Sequence, residues 1–589
     1  MDLDLDTTLA AVSKPLADGP APKVLLSRAL VPRPGGGYDR QDVLLEAGVI
    51  RALRPAGALA GDAAAAGAAV VDCQDKLLMP GFVNAHAHSA EHWARGLIKP
   101  LPLELWVQQL IRHEPRGVEG WAGADSWDKT PATAIFLSAF HCGVESLLSG
   151  CTAIMDHLLV RHVGDLEAAI AAYKAVGIRA FISPMLGDDA RPYENYIPLA
   201  PDADARNAAL RRPGCAGCPC GAEGDPFAAM GPDGQFRTKG GAHDPQKTAA
   251  MIELWEACAQ YHDPANGIHI AIGPVTAYSA SPDLLRAATR IRLKYGLPGH
   301  THLLETRAQA LMAKQLLPSG SAVQHLYDCG FLQVPGTSCA HTIWLTDEEI
   351  ELMAKAGATA VHNPLSNTRL GSGVMPVRKF LEKGANVSIG CDGACSSDGQ
   401  DFLEAMKMTT MLSAITTQEY RDWLEPAETA LQLASKGGYQ GLGLGGQAGE
   451  IAEGQLADVT LWDLTSLALL PKTDPVNLLV IGSRTAAPGA GSALHAMWVQ
   501  GRQVVDGGAP CGVALDKLRE VLIEAQPEYR DPAITDPKTD PETAKTEVEF
   551  RAAMGLEGRY GGPIPERFAK YEADRVLYPA DLNCVPCRE

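Results

Sequence analysis

The chain has 589 residues, 46% of them hydrophobic and 21% charged, enough to bury one large core with appendages. A net charge of -19 and a pI near 5.3 exclude a nucleic-acid groove or an anionic membrane surface as partner, since both need clustered Lys and Arg, and favour a small neutral or cationic substrate. The acidic start Met1-Asp2-Leu3-Asp4-Leu5-Asp6 is unlike a basic secretory signal and no apolar run is long enough to cross a bilayer, so a cytoplasmic location is expected, with the fourteen cysteines mostly reduced.

In chain order, Val24 to Leu30 and Asp42 to Leu53 read as strands around the turn-rich Pro34-Gly35-Gly36-Gly37. A matching unit near the other end comprises Ala457 to Trp462, His495 to Val499 and Gly501 to Val505, and the two half-sheets are expected to make one small β-sandwich. Between them, apolar strand candidates alternate with helical stretches, the pattern of parallel βαβ units. Eight strands are counted, centred on 82–86, 153–156, 180–184, 268–273, 298–302, 337–341, 359–363 and 387–391. The predicted fold is therefore α/β, a (β/α)8 TIM barrel with the small sandwich from both termini, and its chemistry belongs at the carboxyl ends of the strands. The expected boundaries are 24–79 and 454–511 for the sandwich, 80–453 for the barrel, and 512–589 for a charged, Pro-rich extension wrapped on the outside. Two connections are too long for simple turns: Ser89 to Pro131, and an insertion at about 187–246 that carries Tyr193, Tyr196 and Phe227 and is either a lid or a plain surface insertion.

The first barrel strand ends Asn84-Ala85-His86-Ala87-His88, and side chains two apart on a strand share a face. Such a pair can hold a divalent metal through neutral ring nitrogens, although two histidines at this spacing also occur by chance on wet surfaces. The fifth strand ends His300-Thr301-His302-Leu303-Leu304-Glu305, the sixth Cys339-Ala340-His341, and the eighth Cys391-Asp392-Gly393. Each alone has a dull explanation, a hydrogen-bonded structural His or a turn-forming Asp. Their joint occurrence at one rim points to a site.

Several segments in this order resemble the amidohydrolase superfamily, in particular the branch of guanine deaminase, S-adenosylhomocysteine deaminase and the triazine hydrolases. They are 80–88, Ser149-Gly150-Cys151-Thr152, His302-Leu303-Leu304-Glu305-Thr306, 340–346, 362–373, Cys391-Asp392-Gly393 and 454–458. The resemblance implies that His86, His88, His302 and Asp392 hold one divalent metal, zinc with iron as the alternative, and that Glu305 and His341 are catalytic beside Asp392. His300 shares a face with His302, so the two can exchange roles; the Glu three residues on favours His302. In the implied chemistry Asp392 accepts a proton from the attacking water, Glu305 protonates a ring nitrogen, and His341 orients the nucleophile or polarises the carbon. The expected activity is deamination of a small purine-, pterin- or triazine-like heterocycle with release of ammonia. Expulsion of chloride or opening of a cyclic amide is the alternative, and an inactive barrel acting as a binding protein a further one. The resemblance also implies a homo-oligomer.

Glu104 and Trp106 resemble a family segment that lines the pocket, and Asn367 and Arg369 are further substrate-binding candidates; Trp106 has a core residue as its competing reading. Cys391 stands where Thr or Ser is common and reads as packing. No Lys marks the fourth strand's end, at Ile272-Gly273-Pro274, which favours a single metal there. Cys215, Cys218 and Cys220 in the insertion and Cys584 and Cys587 at the end have the spacing of a second, structural zinc clip, with independent thiols as the alternative. The glycine run 441–446 lacks the preceding strand a dinucleotide loop needs and is expected to be a loop leaving the barrel.

Overall fold

A computed structural model describes residues 4–16, 19–33, 35–113, 132–188, 245–417, 419–425, 429–482 and 493–525. The N-terminal strands are β1 (Val24–Pro32), β2 (Tyr38–Glu46), β3 (Val49–Pro55), β4 (Ala69–Asp72) and β5 (Lys76–Pro80). The stretch expected as one strand over 42–53 is two, because Ala47 and Gly48, both at positive φ, turn the chain between β2 and β3. One glycine later the chain enters the barrel through β6 (Phe82–Ala87), followed by β7 (Cys151–Leu158), β8 (Arg179–Leu186), β9 (Ile268–Ile270), β10 (Gly273–Pro274), β11 (Gly299–Leu303), β12 (Thr337–His341), β13 (Thr359–His362) and β14 (Asn386–Ile389).

These strands are parallel and sequential, in the order β6-β7-β8-β9/β10 and then β11-β12-β13-β14. Backbone bonds join the two arcs: Ile272 N–H donates to Pro298 O at 3.0 Å, His300 N–H to Ile272 O at 3.0 Å and His302 N–H to Val275 O at 3.2 Å on one side, and Asp392 N–H donates to His86 O at 2.8 Å on the other. The ring is closed, and the chain has the TIM-barrel fold. The fourth strand, expected as continuous over 268–273, is broken into β9 and β10. Gly273 and Pro274 end it, since proline brings no N–H to the ladder. Helices over Ala132–Leu148, Val163–Val176, Pro245–Ala259 and Pro282–Tyr295 pack their apolar sides on the outer face of the strands, forming one large core with Phe136, Phe140, Tyr173 and Trp255 fully buried.

From the other end come β15 (Val459–Asp463), β16 (Leu494–Val499), β17 (Arg502–Asp506) and β18 (Ala509–Pro510). They join the N-terminal strands in one nine-stranded sheet through the antiparallel β5-β15 pair, so the two half-sheets do meet. The residues after Gly512 include a helix over Leu515–Ala525, and Ser13 bridges to Val513. Among the described residues no helix is long and apolar enough to cross a membrane. The run at 441–446 follows a short helix as expected of a loop leaving the barrel.

The terminal sheet is locked to the barrel by a buried ion pair. Arg179 on β8 donates to Asp458 just before β15 through Nε at 2.8 Å and a terminal nitrogen at 3.0 Å. Tyr439 Oη at 2.9 Å and Gln500 N at 2.7 Å donate to the same carboxylate. Removing one partner of such a pair strands the other charge out of water, typically at a cost of about 3–5 kcal/mol. Asp458→Ala is therefore expected to lower unfolding stability by that order in urea titration, whereas an unchanged midpoint would show that the lock contributes nothing.

Candidate metal centre and active site

The side chains at the carboxyl ends of β6, β11, β12 and β14 converge. His86 Nε2 lies 3.3 Å from Asp392 Oδ1, and His88 Nε2 lies 3.5 Å from the same oxygen. His88 Nε2 and His302 Nε2 face each other at 3.0 Å. His341 Nε2 stands 3.7 Å from both Asp392 Oδ2 and Glu305 Oε2. The donor atoms of His86, His88 and Asp392, and those of His86, His302 and His341, each lie within 4.8 Å of one another.

The protonation pattern decides what this cluster can hold. His88 Nδ1 is 2.7 Å from the His157 carbonyl and His302 Nδ1 is 2.8 Å from the Val275 carbonyl. A carbonyl only accepts, so Nδ1 of each ring carries a proton, and in a neutral ring that leaves Nε2 as a lone pair. Burial, with His88 and His341 adding to it, pushes the His302 pKa down to about 3, so that ring is neutral. The lone pair of His302 Nε2 thus faces His88 Nε2 at 3.0 Å in a half-buried gap, and the fully buried Nε2 of His86 has no hydrogen-bond partner. A cation resolves both. Three imidazoles and one carboxylate are a donor set that divalent zinc or iron accepts.

The two carboxyl groups are pushed in opposite directions. Asp392 is pushed well below its ordinary range, against the cost of burial, by the imidazoles of His86, His341 and His88 around it. Glu305 is driven well above its ordinary value by burial first, then by the negative charges of Asp392 and Glu104. Two carboxyl groups of opposite acidity therefore stand on either side of His341. Divergent acid and base partners of this kind are a recurrent mark of proton-transfer chemistry. His341 Nδ1 meets Asn367 Oδ1 at 2.9 Å, which leaves Nε2 aimed at both acids.

The backbone around these side chains is strained. Leu304, His341, Thr342 and Asp392 all have positive φ, 49°, 73°, 45° and 66°, a conformation that costs a non-glycine residue about 1–3 kcal/mol each. Buried polar bonds hold it in place. Asn84 Oδ1 accepts from Cys391 N at 2.9 Å, while Gln400 reaches from Asn84 to the Asp392 carbonyl. The Glu91 carboxylate accepts from the backbone N–H groups of Cys395 and Ser396 and sits where any side chain at position 393 would lie. Asp156 binds Ser89 through both its N–H and its hydroxyl, fixing the chain just after His88.

The other expected residues fall at different distances from the centre. His302, not His300, meets His88; His300 lies one layer deeper, 2.8 Å from His86 Nδ1. Glu104 is buried and accepts from Thr306 Oγ1 at 2.5 Å, beside Glu305. Trp106 packs in an apolar cluster with Leu97, Ile98 and Leu370, in keeping with its core reading. Asn367 touches His341. Arg369 is engaged by Asp398 at 2.5 Å and the Ile98 carbonyl at 2.6 Å, so its guanidinium ties two loops together. Cys391 is buried packing, as expected. Tyr193, Tyr196, Phe227 and the five cysteines of the second zinc clip, Cys215, Cys218, Cys220, Cys584 and Cys587, lie outside the described residues.

Sequence reasoning passed over Asp156 and His157. Both stand at the carboxyl end of β7, the same topological place that singled out the other residues, so the signal was present. Glu91, in a short 3-10 helix over Ser89–Ala94, and Gln400, in a loop, carried none.

The model of the "Amidohydrolase family" matches residues 77–486. A 5-methylthioadenosine/S-adenosylhomocysteine deaminase of Syntrophobacter fumaroxidans is 30% identical over 82% of this chain and 93% of its own length. Among solved structures, an adenosine deaminase from Xanthomonas campestris with bound zinc superposes with a TM-score of 0.65 at 22% identity, covering 86% of this chain and all but 1% of the other. Atrazine chlorohydrolase TrzN from Arthrobacter aurescens TC1, complexed with zinc, superposes at 0.67 and 21%, covering 86% and 100%. At these identities the solved structures speak for the fold; the family match and the curated relative speak for descent. On that evidence the chain belongs to the amidohydrolase family.

Proposed function

We propose that this enzyme holds one divalent cation, zinc or iron, through His86, His88, His302 and Asp392 and hydrolytically deaminates a small nitrogen heterocycle, an aminopurine nucleoside being the first candidate. The observation that carries the reading is the convergence of His88 Nε2 and His302 Nε2, 3.0 Å apart, with His86 and Asp392, beside two carboxyl groups whose acidities are pushed apart, Asp392 down and Glu305 up. The cation, when bound, supplies Lewis-acid activation of water near neutral pH. Asp392 takes a proton from the attacking water at Oδ2, the oxygen that faces His341. Glu305 delivers its proton to the ring nitrogen next to the carbon under attack, so that the ring carries no negative charge as the C–O bond forms. His341, steered by Asn367, keeps Nε2 between the two acids and orients the water. Asp392 then passes its proton to the exocyclic amine, the hydroxyl on the tetrahedral carbon gives its proton to the Glu305 carboxylate as the C–N bond breaks and the C=O bond forms, and ammonia leaves with both acids restored.

The choice of an aminopurine rests on the deaminase name of the 30% relative. Expulsion of chloride or opening of a cyclic amide is not favoured, because the chlorohydrolase likeness reaches only the fold. Glu104 and Asn367 are read as pocket residues, since each contacts a neighbour or partner of the proton carriers. The terminal unit, 24–79 with 454–511, is read as a small sandwich. In support, Leu26, Val43, Ile50, Leu78, Val459 and Trp498 bring both ends of the chain into one apolar cluster.

Metal-loaded protein is expected to release one ammonia per turnover from adenosine-type nucleosides in a coupled ammonia assay. Turnover of chlorinated heterocycles or cyclic amides without ammonia from any amine would contradict the deaminase reading. Glu305→Gln is expected to keep its metal by elemental analysis and lose about 10²–10⁴-fold in kcat, the usual worth of a positioned proton donor. A variant that keeps full kcat would remove Glu305 from the chemistry.

A further inference from the structure

The three histidines of the centre are not oriented in the same way. His88 and His302 hand their Nδ1 protons to backbone carbonyls, which cannot donate in return. His86 instead faces another imidazole: its Nδ1 is 2.8 Å from His300 Nε2. His300 Nδ1 is 2.7 Å from Ser338 Oγ, and Ser338 Oγ is 3.4 Å from the Gly299 carbonyl. All three side chains are buried, so the line is shielded from bulk solvent.

Two proton patterns satisfy this chain. In one, the Ser338 hydroxyl donates to Gly299 O, His300 Nδ1–H donates to Ser338, and His86 Nδ1–H donates to His300. The Nε2 of His86 is then a lone pair. In the reverse pattern every proton points the other way, and His86 Nε2–H is aimed at Asp392 Oδ1, 3.3 Å away, where it blocks a cation. The Ser338 hydroxyl proton goes to Gly299 O, which can only accept, in the first pattern and to His300 Nδ1 in the reverse one, so the hydroxyl serves both and its acceptance from His300 Nδ1–H belongs to the first alone.

Resting on the reading of the centre as a cation site, we infer that His300 and Ser338 are positioning residues that set the tautomer of His86 and so make its Nε2 a ligand. Losing the Ser338 hydroxyl leaves His300 Nδ1–H without an acceptor in the binding pattern and tilts the chain towards the blocking one. Partners that orient a metal-bound imidazole are commonly worth 10–100-fold in metal affinity.

The test is zinc affinity by competition with a chromogenic chelator, together with the melting temperature of the metal-free protein. Ser338→Ala is expected to bind zinc 10–100-fold more weakly with the metal-free melting temperature unchanged, and Ser338→Thr, which keeps the hydroxyl, to restore affinity. His300→Gln, whose side-chain carbonyl can accept from His86 Nδ1–H, should bind more tightly than His300→Leu. His302→Ala is the control for the centre itself and should lose zinc outright. If His302→Ala loses zinc while Ser338→Ala and His300→Leu bind like the parent, the positioning role is wrong and the centre stands. If His302→Ala binds like the parent, the centre is wrong and the inference falls with it. Two zinc equivalents in the parent, one lost in His300→Leu, would put a cation between the rings of His86 and His300, next to His157, and would also overturn the proton chain.

Discussion

Two imidazole Nε2 atoms facing each other at 3.0 Å are the constraint from which the rest of this molecule can be understood. Each ring turns its Nδ1 to a carbonyl on the barrel rim, and His302, its basicity suppressed mainly by burial, has a lone pair and no second proton on the side that faces His88. Such a contact suits a positive charge between the rings. The depressed Asp392 and the elevated Glu305 follow from the same enclosure, one sitting among imidazoles and the other among carboxylates.

Keeping four strand ends at this separation is a mechanical problem, and the barrel solves it with local strain. The left-handed backbone at Leu304, His341, Thr342 and Asp392 turns each strand sharply into its loop, so that functional side chains point inward. Around them Asn84, Glu91 and Asp156 accept from backbone N–H groups of the neighbouring loops, and Gln400 accepts from the Asn84 amide while donating to the Asp392 carbonyl. Farther out, Arg179 and Asp458 hold the terminal sheet against the base of β8. Stability generated at a distance thus supports a rim that is itself unfavourable.

The barrel was legible in the sequence because its strands are short apolar runs separated by helical stretches, and because several of them end in His, Glu or Asp. His86 and His88 share a face by the two-residue period of a strand, and the structure brings both to Asp392. Choosing between His300 and His302 needed three dimensions. Both lie on one face, and only their depth in the barrel separates the partner of His88 from the partner of His86. The β2-β3 hairpin was hidden because Ala47-Gly48 is a turn too brief to interrupt an apolar stretch, and the break between β9 and β10 because Gly273-Pro274 still lies in line with its neighbours. Glu91 and Gln400 were invisible for a different reason. Their role depends on contacts with residues about 300 positions away for Glu91 and Asn84, which no local pattern records.

The most direct measurement is anomalous diffraction at the zinc edge from crystals of the zinc-loaded protein. A single strong peak is predicted between His88 Nε2 and His302 Nε2, about 2.0–2.1 Å from each and within bonding reach of His86 Nε2 and Asp392. A map with no peak there, or with the strongest peak elsewhere and the two Nε2 atoms still facing each other, would contradict the account.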